Sequence, residues 1–328
     1  MDGVVPVAPS ESLVLGVTIF AMWRDWPMTQ QLMDHARDSG SSWIRVDMGW
    51  CTLQEEGPDR VSAWYQERLD FVVDSAAQRG LKLLIMVGCT PKWAGGGDDL
   101  TGFPSDPSDF TRAMTYLASR YQGRVAAWEI WNEPDCRGGC PNGSASDYVP
   151  VLQAGYRGVR AGDPSAVVVS AGTSGNNAPW IEQMYAAGAK GFFDVLAVHP
   201  YLEPVTAPPD APSANMVYRL TSVEAVHDVM VRYGDQGKPI WFTEFGWTTA
   251  SSGERPGVDE ATQAAYLRSA VELTVRRFPY VTAAFWFCMR DRDDWTPYEN
   301  HFGLLRLDGS AKPSFAALQQ ANAWLGAK

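Results

Sequence analysis

Two stretches of this chain carry the side chains best placed to do chemistry. One reads Trp128-Glu129-Ile130-Trp131-Asn132-Glu133-Pro134-Asp135, the other Trp241-Phe242-Thr243-Glu244-Phe245-Gly246-Trp247. Each is an apolar, aromatic-rich run of the kind that forms a buried strand, and each delivers a Glu at its C-terminal end. Pro134 has no N–H to give a sheet, so it stops the strand just after Glu133, while Gly246 lets the backbone turn just after Glu244. A lone carboxylate on a rim is usually half of a salt bridge. Two of them, fixed on facing strand ends among flat Trp rings, are what glycosidic bond cleavage uses, one as acid and the other as nucleophile or base.

Positioning two such groups takes a scaffold, and the rest of the chain supplies its pattern. Eight apolar runs recur: Leu13 to Phe20, Trp43 to Met48, Lys82 to Gly88, Val125 to Trp131, Ala166 to Ala171, Phe193 to His199, Pro239 to Phe245 and Val281 to Cys288. Stretches with helical spacing follow them, from Thr29 to Ser39, Tyr65 to Arg79, Ser108 to Tyr121, Asp147 to Ala161, Pro179 to Ala187, Asn215 to Tyr233, Asp259 to Arg277 and Pro313 to Leu325. Ser108 and Asp259 suit N-caps, and Gly40, Gly80, Gly162 and Gly234 sit where helices want a left-handed stop. Strand and helix alternating eight times predict an α/β fold of one closed (β/α)8 TIM barrel. A doubly wound open sheet is the alternative, but no Gly-x-Gly-x-x-Gly follows the first strand. No flexible linker or break in composition divides the chain, so residues 1–328 read as one catalytic domain. The longer linkers, rich in Gly, Pro and Trp, follow the strands, on the face where a barrel keeps its active site.

The motifs now carry a resemblance. Asn132-Glu133-Pro134 and Thr243-Glu244-Phe245-Gly246-Trp247 resemble the retaining (β/α)8 glycoside hydrolases of the clan holding families 5, 39 and 10. Arg45 on the second strand, His199-Pro200-Tyr201 after the sixth, Trp286 on the eighth and the segment from His301-Phe302-Gly303-Leu304 to Lys312-Pro313-Ser314-Phe315 are similar to the same pattern. The resemblance implies Glu133 as acid/base, Glu244 as nucleophile, and Asn132 bonded to the sugar 2-hydroxyl. It implies no cofactor and a carboxyl separation of ~5 to 5.5 Å, the spacing for direct attack with retention. Arg45 and the Tyr201 hydroxyl would favour an ionised Glu244, whose charge in turn would favour a protonated Glu133.

Further substrate contacts are expected from His199, from Trp286 as a platform under the sugar with a cis bond following it, and from Trp247 and Trp50. Trp23, Trp26, Trp93 and Trp295 fall in loops of the catalytic face, and Asp25, Asp47, Asp135 and Glu299 could bond hydroxyls. The substrate class is a poly- or oligosaccharide: β-glucan, xylan-type oligosaccharide, exopolysaccharide, furanoside and glycolipid headgroup all fit, and the many Trp favour internal cleavage. A transglycosylase would use the same carboxylates, and a sugar-binding barrel that has lost catalysis would ordinarily have lost one of them. A metal-dependent barrel would want clustered His and Asp ligands.

Composition narrows the partners. Lys+Arg at 27 against Asp+Glu at 38 gives a net charge of −11, which repels nucleic acid and anionic membranes. No run approaches the ~18 apolar residues of a membrane span. The 14 Trp supply flat faces for the C–H faces of sugars. Four His and five Cys show no metal-ligand spacing, so no metal site is expected. Cys136 and Cys140 bracket a short flexible loop that suits a disulfide, whereas Cys51, Cys89 and Cys288 end strand regions and read as buried thiols. Residues Met1 to Ser10 lack the features of a signal peptide, yet a polymeric substrate and a disulfide favour an extracellular location.

Overall fold

A computed structural model describes residues 13–97, 102–135, 143–212, 215–251, 253 and 255–327. Strands β1 (Val14–Thr18), β2 (Trp43–Gly49), β3 (Lys82–Gly88), β4 (Ala127–Asn132), β5 (Val167–Ser174), β6 (Leu196–His199), β7 (Ile240–Phe245) and β8 (Val281–Trp286) pair in chain order and close by parallel pairing of β1 with β8. Between and after them run helices α1 (Thr29–Asp38), α2 (Trp50–Leu53), α3 (Ala63–Gln78), α4 (Pro107–Arg120), α5 (Ala145–Gly162), α6 (Ala178–Ala186), α7 (Val223–Arg232), α8 (Glu260–Arg277) and α9 (Pro313–Gly326). This is the expected (β/α)8 barrel. None of these helices is long and apolar enough to cross a membrane.

Alternation along each strand builds two cores. Trp43, Leu84, Ala127, Val169, Val195, Ala197, Trp241, Ala283 and Phe285 point inward and fill the barrel. Their neighbours in sequence, such as Ile44, Trp128, Phe242 and Trp286, point outward and pack under the helices. Two positions further along the same inward rows come Arg45, Glu129 and Thr243, so the apolar plug is roofed by buried polar groups.

The elements differ from the sequence expectation in five places. Gly162 is the last residue of α5 and, unlike Gly40, Gly80 and Gly234, has no positive φ; its missing side chain instead lets α5 approach α4, since a Cβ there would stand 2.6 Å from the Ser119 N and the Thr115 O. Asp106, not Ser108, caps α4, its carboxylate accepting from the Ser108 N–H at 2.8 Å. Asp259 caps α8 as expected. The helix expected from Asn215 begins at Val223 after a single 3-10 turn, because the Asn215 side chain accepts from the Val217 N–H and holds the chain in a local turn instead. The short α2 was not anticipated. Finally, Cys51 and Cys89 are not thiols but a disulfide. β2 and β3 pair in register through Gly49 and Gly88, which brings the residues just beyond their ends together: Cys51 N–H bonds Cys89 O at 2.7 Å, and the Cα atoms lie 5.2 Å apart. Cys288 is a buried free thiol, as expected. Cys136 and Cys140 lie outside the described residues.

Candidate active site

Glu133 and Glu244 meet over the C-terminal mouth of the barrel, each presenting a carboxylate oxygen within 4.8 Å of the other and of a His199 ring nitrogen. Simple alternation would not bring them there together with their neighbours. At the end of β4, Trp131 and Glu133 take left-handed backbone angles (φ 78° and 41°), which breaks the period of two and lets both Asn132 and Glu133 face the mouth. On β7 the register against β8 shifts between Phe242 and Phe245, and this irregularity turns Thr243 and Glu244 inward as consecutive residues.

Arg45 organises one half of the site. It is fully buried, and its guanidinium donates from Nε to Glu129 Oε2 at 2.7 Å, from Nη1 to Glu244 Oε1 at 2.8 Å and from Nη2 to Asn132 Oδ1 at 2.9 Å. With Oδ1 taken, the Asn132 amide has its N–H groups to offer a ligand. Burial acts to lower the Arg45 pKa, but the charges of Glu129, Asp47 and Glu244 outweigh it and the net shift is upward, so the group is a permanent cation. The second oxygen of Glu244 accepts from the Tyr201 hydroxyl at 2.9 Å. Burial and the charge of Glu244 push the Tyr201 phenol well above its ordinary value, so it remains a donor.

A second chain of bonds fixes the other half. Thr243 donates its hydroxyl hydrogen to Glu129 Oε1 at 2.8 Å, so the same oxygen can only accept from His199 Nε2, 3.1 Å away. That leaves His199 Nδ1 2.8 Å from Glu133 Oε1. A neutral ring with its hydrogen on Nε2 must accept at Nδ1 from a protonated Glu133; a cationic ring donates to the carboxylate. Either way one proton lies between Glu133 and His199. Burial works against a charged His199, yet Glu244 and Glu133 outweigh it and its pKa is raised. Gly172 makes room for this ring, since a Cβ there would stand 2.2 Å from His199 Nε2 and 2.8 Å from Thr243 Oγ1.

The cavity above these groups has a volume of about 730 Å³. Asn132, Glu133, Tyr201 and Glu244 line it as expected, as do Asp47, Trp295 and Glu299. Arg45 and His199 act from beneath. Three expected sugar contacts are not on the cavity. Trp50 is buried and donates to Gln54, Trp247 is buried and donates to the Ala207 carbonyl, and Trp286 is buried and donates to the Phe302 carbonyl. For Trp286 the reason is parity: Phe285 points into the barrel, Trp286 therefore points out, and Phe287 lines the cavity in its place. The cis bond lies one residue later than expected, at Phe287–Cys288. Asp25 is tied to Arg290, and Asp135 holds the Ser174 N–H and the Asn177 amide. Glu129, Thr243 and Gly172 were missed; the inward parity that Glu129 shares with Ala127 is the signal that could have found it.

Glu133, His199 and Glu244 could each offer an atom to a cation. A metal there would have to displace Arg45 and Tyr201 from Glu244 and break the Glu133–His199 bond, so the donor set fits an ion pair better than a metal.

Fold and site together define a (β/α)8 barrel that holds a carboxylate pair on its fourth and seventh strands. Within that class the chain belongs to the cellulase family, glycosyl hydrolase family 5, whose model matches residues 10–286. It is 23% identical over 284 residues to a β-xylosidase of Geobacillus stearothermophilus, covering 78% of this chain and 55% of the relative. It is 28% identical over 241 residues to the endoglucanase CelA of Streptomyces lividans, covering 71% and 43%. The chain spans about half the length of the curated relatives it matches. Among solved structures it superposes on a GH5_18 protein of Streptomyces cattleya crystallised with GlcNAc (TM-score 0.77, 18% identity, 97% of this chain and 82% of that one). A family 39 glycoside hydrolase of Bacteroides cellulosilyticus WH2 superposes similarly (TM-score 0.74, 24% identity, 96% and 64%).

Proposed function

We propose that this protein is a retaining β-glycoside hydrolase acting on a poly- or oligosaccharide, with Glu244 as nucleophile and Glu133 as acid/base. The observation that carries the reading is the carboxylate pair itself: oxygens within 4.8 Å suit direct attack and leave too little room for the intervening water of an inverting enzyme, which needs ~6.5 to 9.5 Å. Glu244, held by Arg45 and Tyr201, attacks the anomeric carbon. The bond to the leaving oxygen breaks, and the proton shared by Glu133 and His199 passes through Glu133 to that oxygen. Water then attacks the glycosyl–Glu244 ester, Glu133 takes the water's proton, and both carboxyls return to their starting states. Asn132 offers its amide to a hydroxyl of the same sugar, and Phe287, Trp295 and Tyr298 supply ring faces around it.

Export fits the same reading. A disulfide between Cys51 and Cys89 persists in oxidising compartments, where polymeric sugars are met.

Incubation with 2-deoxy-2-fluoro glycosyl fluorides of xylose, mannose and glucose, followed by intact mass and peptide mapping, tests the mechanism. A single sugar bound to Glu244 is expected. Labelling elsewhere, or hydrolysis undiminished in Glu244→Gln, would sink the assignment.

A further inference from the structure

We propose that the substrate is taken by its end: the loops after β1 and β8 are latched together behind the cleavage point, so one terminal sugar is accommodated and released per turnover. This rests on the hydrolase reading above. Direction follows from the chemistry. Glu133 protonates the leaving oxygen, so the leaving group lies on the β4 side, and the sugar that becomes bound to Glu244 points across the mouth toward β8, β1 and β2.

On that side the two loops are zipped by charge. Arg24 pairs with both Asp293 and Asp294, the latter at 2.6 Å. Arg290 reaches Asp25 at 3.2 Å. Arg292 holds Asp294 by two bonds, at 3.0 and 3.2 Å, while its guanidinium lies 3.3 Å from the ring centroid of Trp295 and 4.1 Å from that of Phe20. The inner part of the seam is dry, with Phe20, Asp25, Arg290 and Arg292 all buried, while the Asp293 and Asp294 carboxylates at its outer edge are exposed. Among the described residues, the cavity takes side chains from β2, β4, β5 and β7 and from the segments after β4, β6, β7 and β8, and none from β1 or its loop. A sugar chain continuing past the cleavage point would have to part this seam and separate the buried Asp25–Arg290 pair at its base, which is costly.

The wall also has the means to read a chain end. Asp47 lines the cavity there, and its Oδ1, 3.1 Å from Arg45 Nη1 but off the line of the N–H, is buried without a hydrogen-bond partner. With that oxygen turned to Arg45, it is the rest of the Asp47 side chain, about a quarter exposed, that a terminal hydroxyl can reach. On the leaving-group side, by contrast, the cavity runs out past Ser174, Glu203 and Tyr218. End-wise action departs from the internal cleavage that the abundance of Trp favours, because Trp50, Trp247 and Trp286 are core rather than cleft.

The test follows early products from β-1,4-linked hexasaccharides of xylose, mannose and glucose, with the 4-nitrophenyl β-glycosides of the same sugars run alongside. The wild type should cleave one aryl glycoside and split the matching hexasaccharide at first only into monosaccharide and pentasaccharide, in equal amounts. Arg24→Ala with Asp294→Ala, which opens the seam without touching Glu133, Glu244 or Asp47, should raise the ratio of di-, tri- and tetrasaccharide to monosaccharide at least tenfold. Wild-type di-, tri- or tetrasaccharide from the first turnovers overturns the proposal while leaving the hydrolase reading intact. An unchanged ratio in a folded double variant overturns the role of the latch. Failure to cleave any aryl glycoside or hexasaccharide overturns the hydrolase reading and the proposal with it.

Discussion

Glu129→Gln separates a buried organising charge from an ordinary rim carboxylate. Glu129 is fully buried and touches no part of the cavity, yet it accepts from Arg45 Nε at 2.7 Å, from the Thr243 hydroxyl at 2.8 Å and from the Gly172 N–H at 3.2 Å. Glutamine has the same shape. Its oxygen can keep Thr243 and Gly172, but its NH2 then faces Arg45 Nε–H, donor against donor. Removing one partner from a buried ion pair costs about 3–5 kcal/mol. The unfolding entropy of a 328-residue chain is about 0.7 kcal/mol/K near its midpoint, so Tm should fall by about 4–7 °C. Glu224→Gln, which breaks the exposed Glu224–Arg277 pair, is the control; such pairs are worth about 0–1 kcal/mol and should move Tm by less than about 1.5 °C. Activity should respond too. Arg45 and Thr243 hold Glu244 and His199, and a displacement of about 1 Å in such groups costs on the order of 100-fold. The loss should appear mainly in kcat, since Glu129 makes no contact with the cavity. Scanning calorimetry together with kinetics on the aryl glycoside the wild type cleaves reads both effects. A Glu129→Gln protein within 1 °C of wild type and with unchanged kcat would refute the argument that this carboxylate organises the site.

Tyr201→Phe removes the donor to Glu244 Oε2; a hydrogen bond to a charged group is worth about 1.5–3 kcal/mol, so kcat should fall about 10- to 150-fold with Tm little changed, and a loss under twofold would dismiss the bond. Asp135, its carboxyl pushed up to about 6 by burial, keeps a proton when folded that the unfolded chain gives up near 3.8. The native state therefore binds more protons between those values, and its stability falls as pH rises through that window by up to about 3 kcal/mol. Asp135→Asn should gain on the wild type in calorimetric scans from pH 4 to 7, whereas parallel curves would count against the burial argument. Cys51→Ala opens a cross-link spanning 38 residues in sequence, for which chain entropy gives about 4 kcal/mol, a Tm loss of about 5–6 °C. Reductant should lower the wild type toward the variant and leave the variant where it is.

What the sequence makes legible follows the range of the physics involved. The barrel depends on local alternation of strand and helix patterns, and every strand expected from those patterns is present. Glu133 and Glu244 are legible for the same reason, since Pro134 and Gly246 mark the strand ends within two residues of each. Parity is legible in principle but easily misassigned by one: an aromatic trio Phe285-Trp286-Phe287 invites the largest ring onto the cavity, and only the inward position of Phe285 sends Trp286 to the helix layer and Phe287 to the mouth. The Cys51–Cys89 bridge needs the register of β2 against β3, which residue types do not encode. The bonds that aim the two carboxylates are further from reach. Arg45 and Glu244 are 199 residues apart, and Thr243 and Glu129 are 114 apart.

The Arg24–Asp293 contact joins residues 269 apart, across the strand pair that closes the barrel. Such contacts exist only because ring closure puts the first and last strands side by side, so the loops after them become neighbours however far apart they are in the chain. Under the proposed function, the chemistry is written locally, at the ends of β4 and β7, whereas the shape of what can reach it is decided where the chain's two ends of the sheet meet. A relative keeping Glu133, Glu244 and Arg45 but lacking the Arg24 and Asp294 charges would keep the reaction and lose the wall. Substrate length can thus change without disturbing the carboxylates, because the two depend on separate contacts.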